Sequence, residues 1–166
     1  SIGCEQIIIN THYQHLKIEE SVAKRKDKND IFLLYENKIL DTGGGVKNAI
    51  SHFKNKNVII VNADIFWIKE NTKDAELLIN KYIKNQLPHL LLVEQINACG
   101  LDKNSGDFIL DKNKVLRFKQ GDKILYYSGL QILNSEIFKN FSKKKFSFND
   151  IWDFLINNKK LYGSIM

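Results

Sequence analysis

Short apolar runs at residues 7–9, 31–35, 58–61 and 90–93 are bounded by polar residues and separated by stretches in which apolar positions recur every three to four residues. Runs of that length, rich in Ile, Val and Leu, read as strands, and the longer period reads as one face of a helix. Helices are expected at 13–24, 46–53 and 74–85. In the last, Ala75, Leu78, Ile79, Tyr82 and Ile83 fall on one side, the stripe by which a helix packs on a core. Pro88 follows closely, as a helix stop should. Strands alternating with helices imply βαβ units and a parallel sheet. Residues 58–61, apolar throughout, suit a central parallel strand covered on both faces.

After Val93 the pattern changes. Residues 108–110, 115–118 and 124–133 are strand-like, and the intervals between them are too short for helices, so this half is expected to be antiparallel or mixed. Asn104-Ser105-Gly106-Asp107 and Gly121-Asp122-Lys123 carry turn chemistry. A final helix over 149–157 presents Ile151, Trp152, Leu155 and Ile156 at helical spacing, with Trp152 a core anchor rather than a ligand platform.

Composition narrows this α/β picture. At 166 residues and 43% hydrophobic the chain is long enough for one domain with a sizeable core. The formal net charge of +6 favours an anionic partner such as a nucleotide or a phosphosugar. The charge is dispersed over Lys24-Arg25-Lys26, Lys54, Lys56, Lys143-Lys144-Lys145 and Lys159-Lys160. Dispersed lysines at helix ends and loops describe a solvated surface, and nucleic acid is not expected as a partner. Cys4 and Cys99 have no CxxC spacing, so buried free thiols in a reducing compartment are expected. No apolar run approaches the roughly 20 residues of a membrane span, so a soluble cytoplasmic chain with no membrane partner is expected. The ends look cut: Ser1 is not an initiator methionine, and residues 161–166 read as the approach to another element.

Two segments carry candidate chemistry. Val58-Ile59-Ile60-Val61-Asn62-Ala63-Asp64 ends a buried run in an amide and a carboxylate, at the strand end where open α/β sheets place ligands. Upstream, Asp41-Thr42-Gly43-Gly44-Gly45 reads as a loop that opens onto a helix at Val46. Such a loop lets backbone approach a ligand and suggests a phosphate cradle at a helix N-terminus. Each segment has a plainer reading, since Asp64 is suited to capping a turn and the glycines to a flexible connector. His12 and His15 lie three apart with no acidic or cysteine partner nearby, which describes an exposed helix face rather than a metal site. Trp67 suits a core position, an interface or a sugar platform.

With these residues in view, the chain resembles the sugar-phosphate nucleotidyltransferase family. The likeness is strongest to its N-acetylmuramate 1-phosphate uridylyltransferase and mannose-1-phosphate guanylyltransferase-like branches. Asp41-Thr42-Gly43-Gly44-Gly45 is similar to the family's acidic-Thr-Gly-Gly-Gly loop, and Val61-Asn62-Ala63-Asp64 to its Val-Asn-Gly-Asp strand end, with Ala63 in place of Gly. Gly106-Asp107-Phe108 matches its sugar-side turn, and Tyr127-Ser128-Gly129-Leu130 its aromatic-Ser-Gly-Ile strand. The order of the motifs matches as well as their content.

The resemblance implies a Rossmann-like, GT-A-like nucleotidyltransferase fold, a mixed sheet flanked by helices. It implies an enzyme that joins a nucleoside triphosphate, UTP or GTP, to a sugar 1-phosphate and releases pyrophosphate, with Mg²⁺ as cofactor. Asp64 would be the catalytic, metal-binding carboxylate. Thr42, Gly43, Gly44, Gly45 and Asn62 would bind the nucleotide, the loop lying beside base and ribose instead of cradling phosphate. Gly106, Asp107, Ser128 and Gly129 would face the sugar phosphate, with Lys119 neutralising it in competition with Arg117 and Lys123. The family's N-terminal Gly-rich triphosphate loop and its C-terminal Asp-Val-Gly-Thr metal segment are missing from these 166 residues, so little turnover is expected of the isolated chain. A catalytically inactive fragment that keeps the fold and binds nucleotide, or serves as a subunit, is the competing reading. A retaining glycosyltransferase fits less well, because Ile65 and Phe66 follow Asp64 where an Asp-x-Asp pair would stand. Oligomeric state is left open.

Overall fold

The computed structural model describes residues 4–99, 106–119 and 123–166. The chain forms two compact units, Ser1–Lys56 with Ser135–Ile151 and Asn57–Asn134 with Trp152–Met166.

In the first unit, β1 (Ile7–Thr11) and β2 (Ile31–Tyr35) pair in parallel, Ile7 opposite Ile31 through to Thr11 opposite Tyr35. Helix α1 (His15–Ala23) is the crossover between them, as the alternating pattern expects, and Gln14 leads into it in the left-handed region at φ 54. Helix α2 (Asp41–Ile50) departs from expectation. The glycine triplet is not a loop before a helix at 46–53 but lies inside the helix, which ends at Ile50. Asp41 starts it at φ 64, a left-handed conformation that Asp tolerates, and its Oδ1 accepts a 2.6 Å hydrogen bond from the Thr42 N–H. The glycines stay helical despite their poor propensity because Lys144 and Phe146 lie directly against Gly43 and Gly44, and Asn10 and Glu36 against Gly45, where side chains would not fit. Within this unit Phe138 meets Phe148 edge-on at 6.0 Å, and Phe141 stacks on Phe146 at 5.4 Å. Lys56 and Lys139 both pair with Glu136.

The second unit holds a six-stranded mixed sheet in the order β3-β7-β4-β8-β6-β5, formed by β3 (Asn57–Val61), β4 (His89–Glu94), β5 (Phe108–Asp111), β6 (Lys114–Arg117), β7 (Leu125–Asn134) and β8 (Tyr162–Ile165). The antiparallel or mixed second half is as expected. Two strand assignments change. β3 is an edge strand of this sheet, antiparallel to β7, and Val61 is 51% exposed, whereas the apolar run suggests a central parallel strand. Hydrophobicity marks a strand but carries no information on its neighbours' direction. Residues 161–166, read as an approach to another element, hold β8, parallel to β4. A two-residue turn at Lys112 and Asn113, φ 46 and 69, joins β5 to β6, the paired left-handed geometry that suits the twist of a hairpin. Of the two expected turns, residues 104, 105, 121 and 122 lie outside the described residues.

Helix α3 (Thr72–Asn85) buries Ala75, Leu78 and Tyr82. Ile79 is half-buried, and Ile83 is 62% exposed rather than part of the stripe, since it lies about 140° round the helix from Leu78. The Tyr82 hydroxyl donates to Asn57 Oδ1 at 2.7 Å, which ties α3 to the edge strand. Helix α4 (Phe148–Asn157) presents Trp152 as a core anchor: its Nε1 donates to Gln131 Oε1 at 3.0 Å and its ring meets Phe108 and Tyr127 edge-on at 5.3 and 4.9 Å. Cys4 and Cys99 are exposed, not buried, because both fall on connecting segments outside the packed elements. No helix among the described residues is long and apolar enough to cross a membrane.

One buried polar group makes stability depend on pH. His89 is 3% exposed and its Nε2 lies 3.0 Å from Ser164 Oγ, which also accepts a 2.7 Å bond from Lys81 Nζ. Burial first, and the Lys81 ammonium second, lower its pKa from 6.5 to about 4. The unfolded chain therefore takes up this proton at higher pH than the folded one. Stability is complete above the unfolded value and falls as pH drops from about 6.5 towards 4, by about 3 kcal/mol in all. Urea melts at pH 7 and pH 4.5 should show the loss, and His89→Gln should flatten it. An equally steep loss in the variant would assign the effect elsewhere.

Candidate active site

In the first unit the candidate residues lie at the start of α2. Thr42 is exposed and Gly43, Gly44 and Gly45 are buried. Thr42 Oγ1 accepts the Phe148 N–H at 2.8 Å, the Gly44 N–H donates to Phe146 O at 3.0 Å, and the Phe146 N–H donates to Leu40 O at 3.2 Å. These bonds hold the segment 146–148 along residues 40–44. A Cβ on Gly43 would stand 2.6 Å from the Phe146 ring, and one on Gly44 would stand 2.2 Å from Lys144 O. A Cβ on Gly45 would stand 2.8 Å from both Asn10 Nδ2 and Glu36 Oε1. All three glycines thus answer to close packing within the unit. The Thr42 hydroxyl is already engaged, as are the Thr42 and Gly44 N–H groups.

In the second unit the candidate residues lie at the end of β3 and along the first half of β7. The β3–β7 ladder runs one residue past Val61, since the Asn62 N–H donates to Gly129 O at 2.8 Å. Pairing stops there, and Ala63 and Asp64 turn away from the sheet with Asp64 exposed. Ile65 anchors that turn: Gly129 has φ 83, and a Cβ on it would meet Ile65 Cδ1 at 2.2 Å and Asn62 Cβ at 3.2 Å. Gly129 therefore gives Ile65 its seat, and that seat places Asp64. Replacing Gly129 with Ala should cost stability both through the contact and through left-handed strain of about 1–3 kcal/mol. Adding Ile65→Ala should recover only the steric part. Full recovery in a thermal melt would show that the positive φ carries no strain.

Along the same strand, Ser128 is 8% exposed, and its Oγ finds no hydrogen-bond partner among the described residues. Tyr127 lies beside it, and burial pushes its hydroxyl well above the ordinary phenol value, which keeps it neutral. Asp107 is exposed, but its Oδ2 accepts the Tyr127 N–H at 2.9 Å and its backbone bonds Leu125 and Phe118, so it clamps the start of β7. Gly106 packs on Ile124, where a Cβ would stand 2.7 Å from Cγ2. Asn62, Gly106, Asp107, Ser128 and Gly129 are thus gathered round one half of β7. Lys119 follows β6 and is exposed. Arg117 Nε donates to Asp153 Oδ1 at 2.7 Å with its guanidinium 5.0 Å from the Phe108 ring centre, and Lys123 pairs with Glu94. Trp67 is half-buried with an indole N–H that lacks a partner among the described residues.

Among the described residues no group of three or more His, Cys, Asp or Glu side chains is placed to share a metal ion. Asp64 supplies a single exposed carboxylate. That donor set fits Mg²⁺ of the kind held through one or two carboxylates with the remaining positions filled by substrate phosphates and water. His12 and His15 gather round Tyr35, with ring centres 6.4 and 4.5 Å away, and His12 Nδ1 lies 2.6 Å from Glu36 O.

No family model matches the chain. It is 29% identical over 173 aligned positions to D-glycero-alpha-D-manno-heptose 1-phosphate guanylyltransferase of Aneurinibacillus thermoaerophilus, covering 98% of this chain and 70% of that one. It is 23% identical over 165 positions to N-acetylmuramate alpha-1-phosphate uridylyltransferase of Caulobacter vibrioides, covering 96% and 68%. Both relatives are sugar-phosphate nucleotidyltransferases, and the chain is similar to each along nearly its whole length. HddC from Yersinia pseudotuberculosis, solved in complex with GMP-PN, superposes with a TM-score of 0.74 at 25% identity over 99% of this chain and 71% of that one. The family's mixed α/β fold, sheets flanked by helices, is the architecture found here. One participant that sequence patterns do not mark is Glu36, whose carboxylate touches the family's glycine loop. It belongs to no periodic stripe and no dense motif, and only the folded chain places it there.

Proposed function

We propose that this chain provides the nucleotidyltransferase centre that joins a nucleoside triphosphate to a sugar 1-phosphate. An oxygen of the sugar phosphate attacks the α-phosphorus, the bond from that phosphorus to the bridging oxygen breaks, and pyrophosphate leaves with the electron pair. The observation that carries this reading is the similarity, over 98% and 96% of this chain and 70% and 68% of the relatives, to two enzymes that differ in base and sugar but share that chemistry. The same pair leaves GTP and UTP as the candidate nucleotides. In this reading the protein works in the cytoplasm, where such substrates are made.

In this reading Asp64 holds Mg²⁺, which when bound spreads the negative charge that develops on the phosphates. The backbone of Thr42, Gly43, Gly44 and Gly45 together with Asn62 lies beside base and ribose. Gly106, Asp107, Ser128 and Gly129 serve the sugar phosphate, and Lys119 neutralises its charge. The buried, unpartnered Ser128 hydroxyl supports this assignment, since a ligand oxygen would satisfy it. Pyrophosphate release is the test: the natural polypeptide containing these residues is supplied with GTP or UTP, a panel of sugar 1-phosphates and Mg²⁺. Release that needs both substrates and stops on chelation is expected. Binding of GTP or UTP with no release for any sugar 1-phosphate would move the chain to the non-catalytic, nucleotide-binding reading.

A further inference from the structure

Glu36 lies one residue beyond β2, at the carboxyl end of the parallel pair, and every polar group it has is engaged. Its N–H donates to Thr11 O at 2.8 Å, and its carbonyl oxygen lies 2.6 Å from His12 Nδ1. Its Oε1 accepts Asn10 Nδ2 at 2.7 Å, and its Oε2 accepts the Leu40 N–H at 3.1 Å. Asn10 and Thr11 end β1, and Leu40 is the residue before α2. A single carboxylate therefore joins the ends of both strands to the entry of the helix that carries the glycine triplet.

The contact is close enough to dictate sequence. A Cβ on Gly45 would lie 2.8 Å from Glu36 Oε1 and 2.8 Å from Asn10 Nδ2, so the third glycine is what lets the Asn10–Glu36 pair reach the helix. The helix entry itself is strained, with Asp41 at φ 64, and a left-handed non-glycine residue persists only where its surroundings over-determine it. The bond from Leu40 N–H to Glu36 Oε2 fixes the residue just before that turn, and the bond from Phe148 N–H to Thr42 Oγ1 fixes the residue just after it.

We propose that Glu36 is a positioning residue, with Asn10 as its partner, that sets residues 40–45 in the shape that receives a nucleoside triphosphate. The part that concerns nucleotide rests on the function proposed above. A carboxylate suits the site because it accepts two bonds at once from opposite sides, one from an amide side chain and one from the backbone, and carries the charge that strengthens both. Alanine can do neither. Glutamine accepts from Leu40 through its oxygen and can donate to Asn10 once the Asn10 amide turns over, so Glu36→Gln should be milder than Glu36→Ala.

The test combines two readouts on the whole chain. Backbone amide exchange by NMR reports the latch directly: Glu36→Ala should speed exchange at Leu40, Thr42 and Gly43 by about ten-fold or more, the weight of one charge-assisted hydrogen bond. Titration with GTP and with UTP reports its use, and Glu36→Ala should weaken the nucleotide that the unaltered chain binds by about ten-fold. The double change Glu36→Gln with Asn10→Asp restores a donor facing an acceptor and should recover both readouts, which a general loss of folding would not allow. Unchanged exchange in Glu36→Ala would overturn the latch. Faster exchange with unchanged nucleotide affinity would overturn its role in binding. If the unaltered chain binds neither GTP nor UTP, the proposed function fails, while the exchange measurement still decides the latch.

Discussion

Asp64→Asn in the natural polypeptide is expected to lower kcat by about 100-fold, equivalent to about 2.7 kcal/mol of transition-state stabilisation. Asparagine keeps the size of the side chain and one oxygen but removes the charge that attracts a divalent cation. The loss should fall on kcat more than on KM, because charge on the transferring phosphoryl group is greatest at the transition state. Stability should change little, since Asp64 is exposed on a turn anchored by Ile65 rather than by its own side chain. Steady-state pyrophosphate release across a Mg²⁺ titration provides the check, with the Mg²⁺ requirement moving to higher concentration in the variant. An unaltered kcat with an unaltered Mg²⁺ requirement would remove Asp64 from the centre.

Gly44→Ala should be the most damaging single methyl group in the first unit. The added carbon would stand 2.2 Å from Lys144 O, a backbone atom that cannot swing aside as a side chain can. Segment 144–146 would have to retreat, stretching the bond from Gly44 N–H to Phe146 O. Alanine gains about 1 kcal/mol of helix propensity over glycine, but overpacking against backbone typically costs more. A net loss of about 3 kcal/mol in unfolding free energy is expected. Asn48→Ala, an exposed position in the same helix, should lie within about 0.5 kcal/mol of the unaltered chain. Equal melting of Gly44→Ala and the unaltered chain would mean the glycine is not there for packing.

These two residues show how differently the candidate site can be read from sequence. Asp64 is legible: an apolar β-branched run that stops at Asn62 and Asp64 announces a strand end bearing a carboxylate, and the order of the motifs points to the family. The glycine triplet is legible as a position where backbone comes close to something, but not as to what. Ligand and neighbouring chain demand the same missing side chain. The structure supplies the neighbours, Phe146, Lys144, Asn10 and Glu36, for all three glycines, and so converts an expected loop into the first turns of a helix.

The sequence by itself determined most elements of this protein: where β1 to β7 and helices α1, α3 and α4 lie, which face of α4 turns inward, that Trp152 anchors a core, and that the second half abandons the βαβ pattern. Those properties follow from local periodicity, which acts over a few residues. Only the tertiary structure decided that β3 is an edge strand antiparallel to β7, that residues 162–165 form a strand beside β4, that both cysteines are exposed, and that the Glu36 carboxylate grips the entry to α2. Strand neighbours, burial of a single thiol and the reach of one carboxylate depend on residues far apart in the chain, whose meeting is set by packing as a whole and leaves no mark on local pattern.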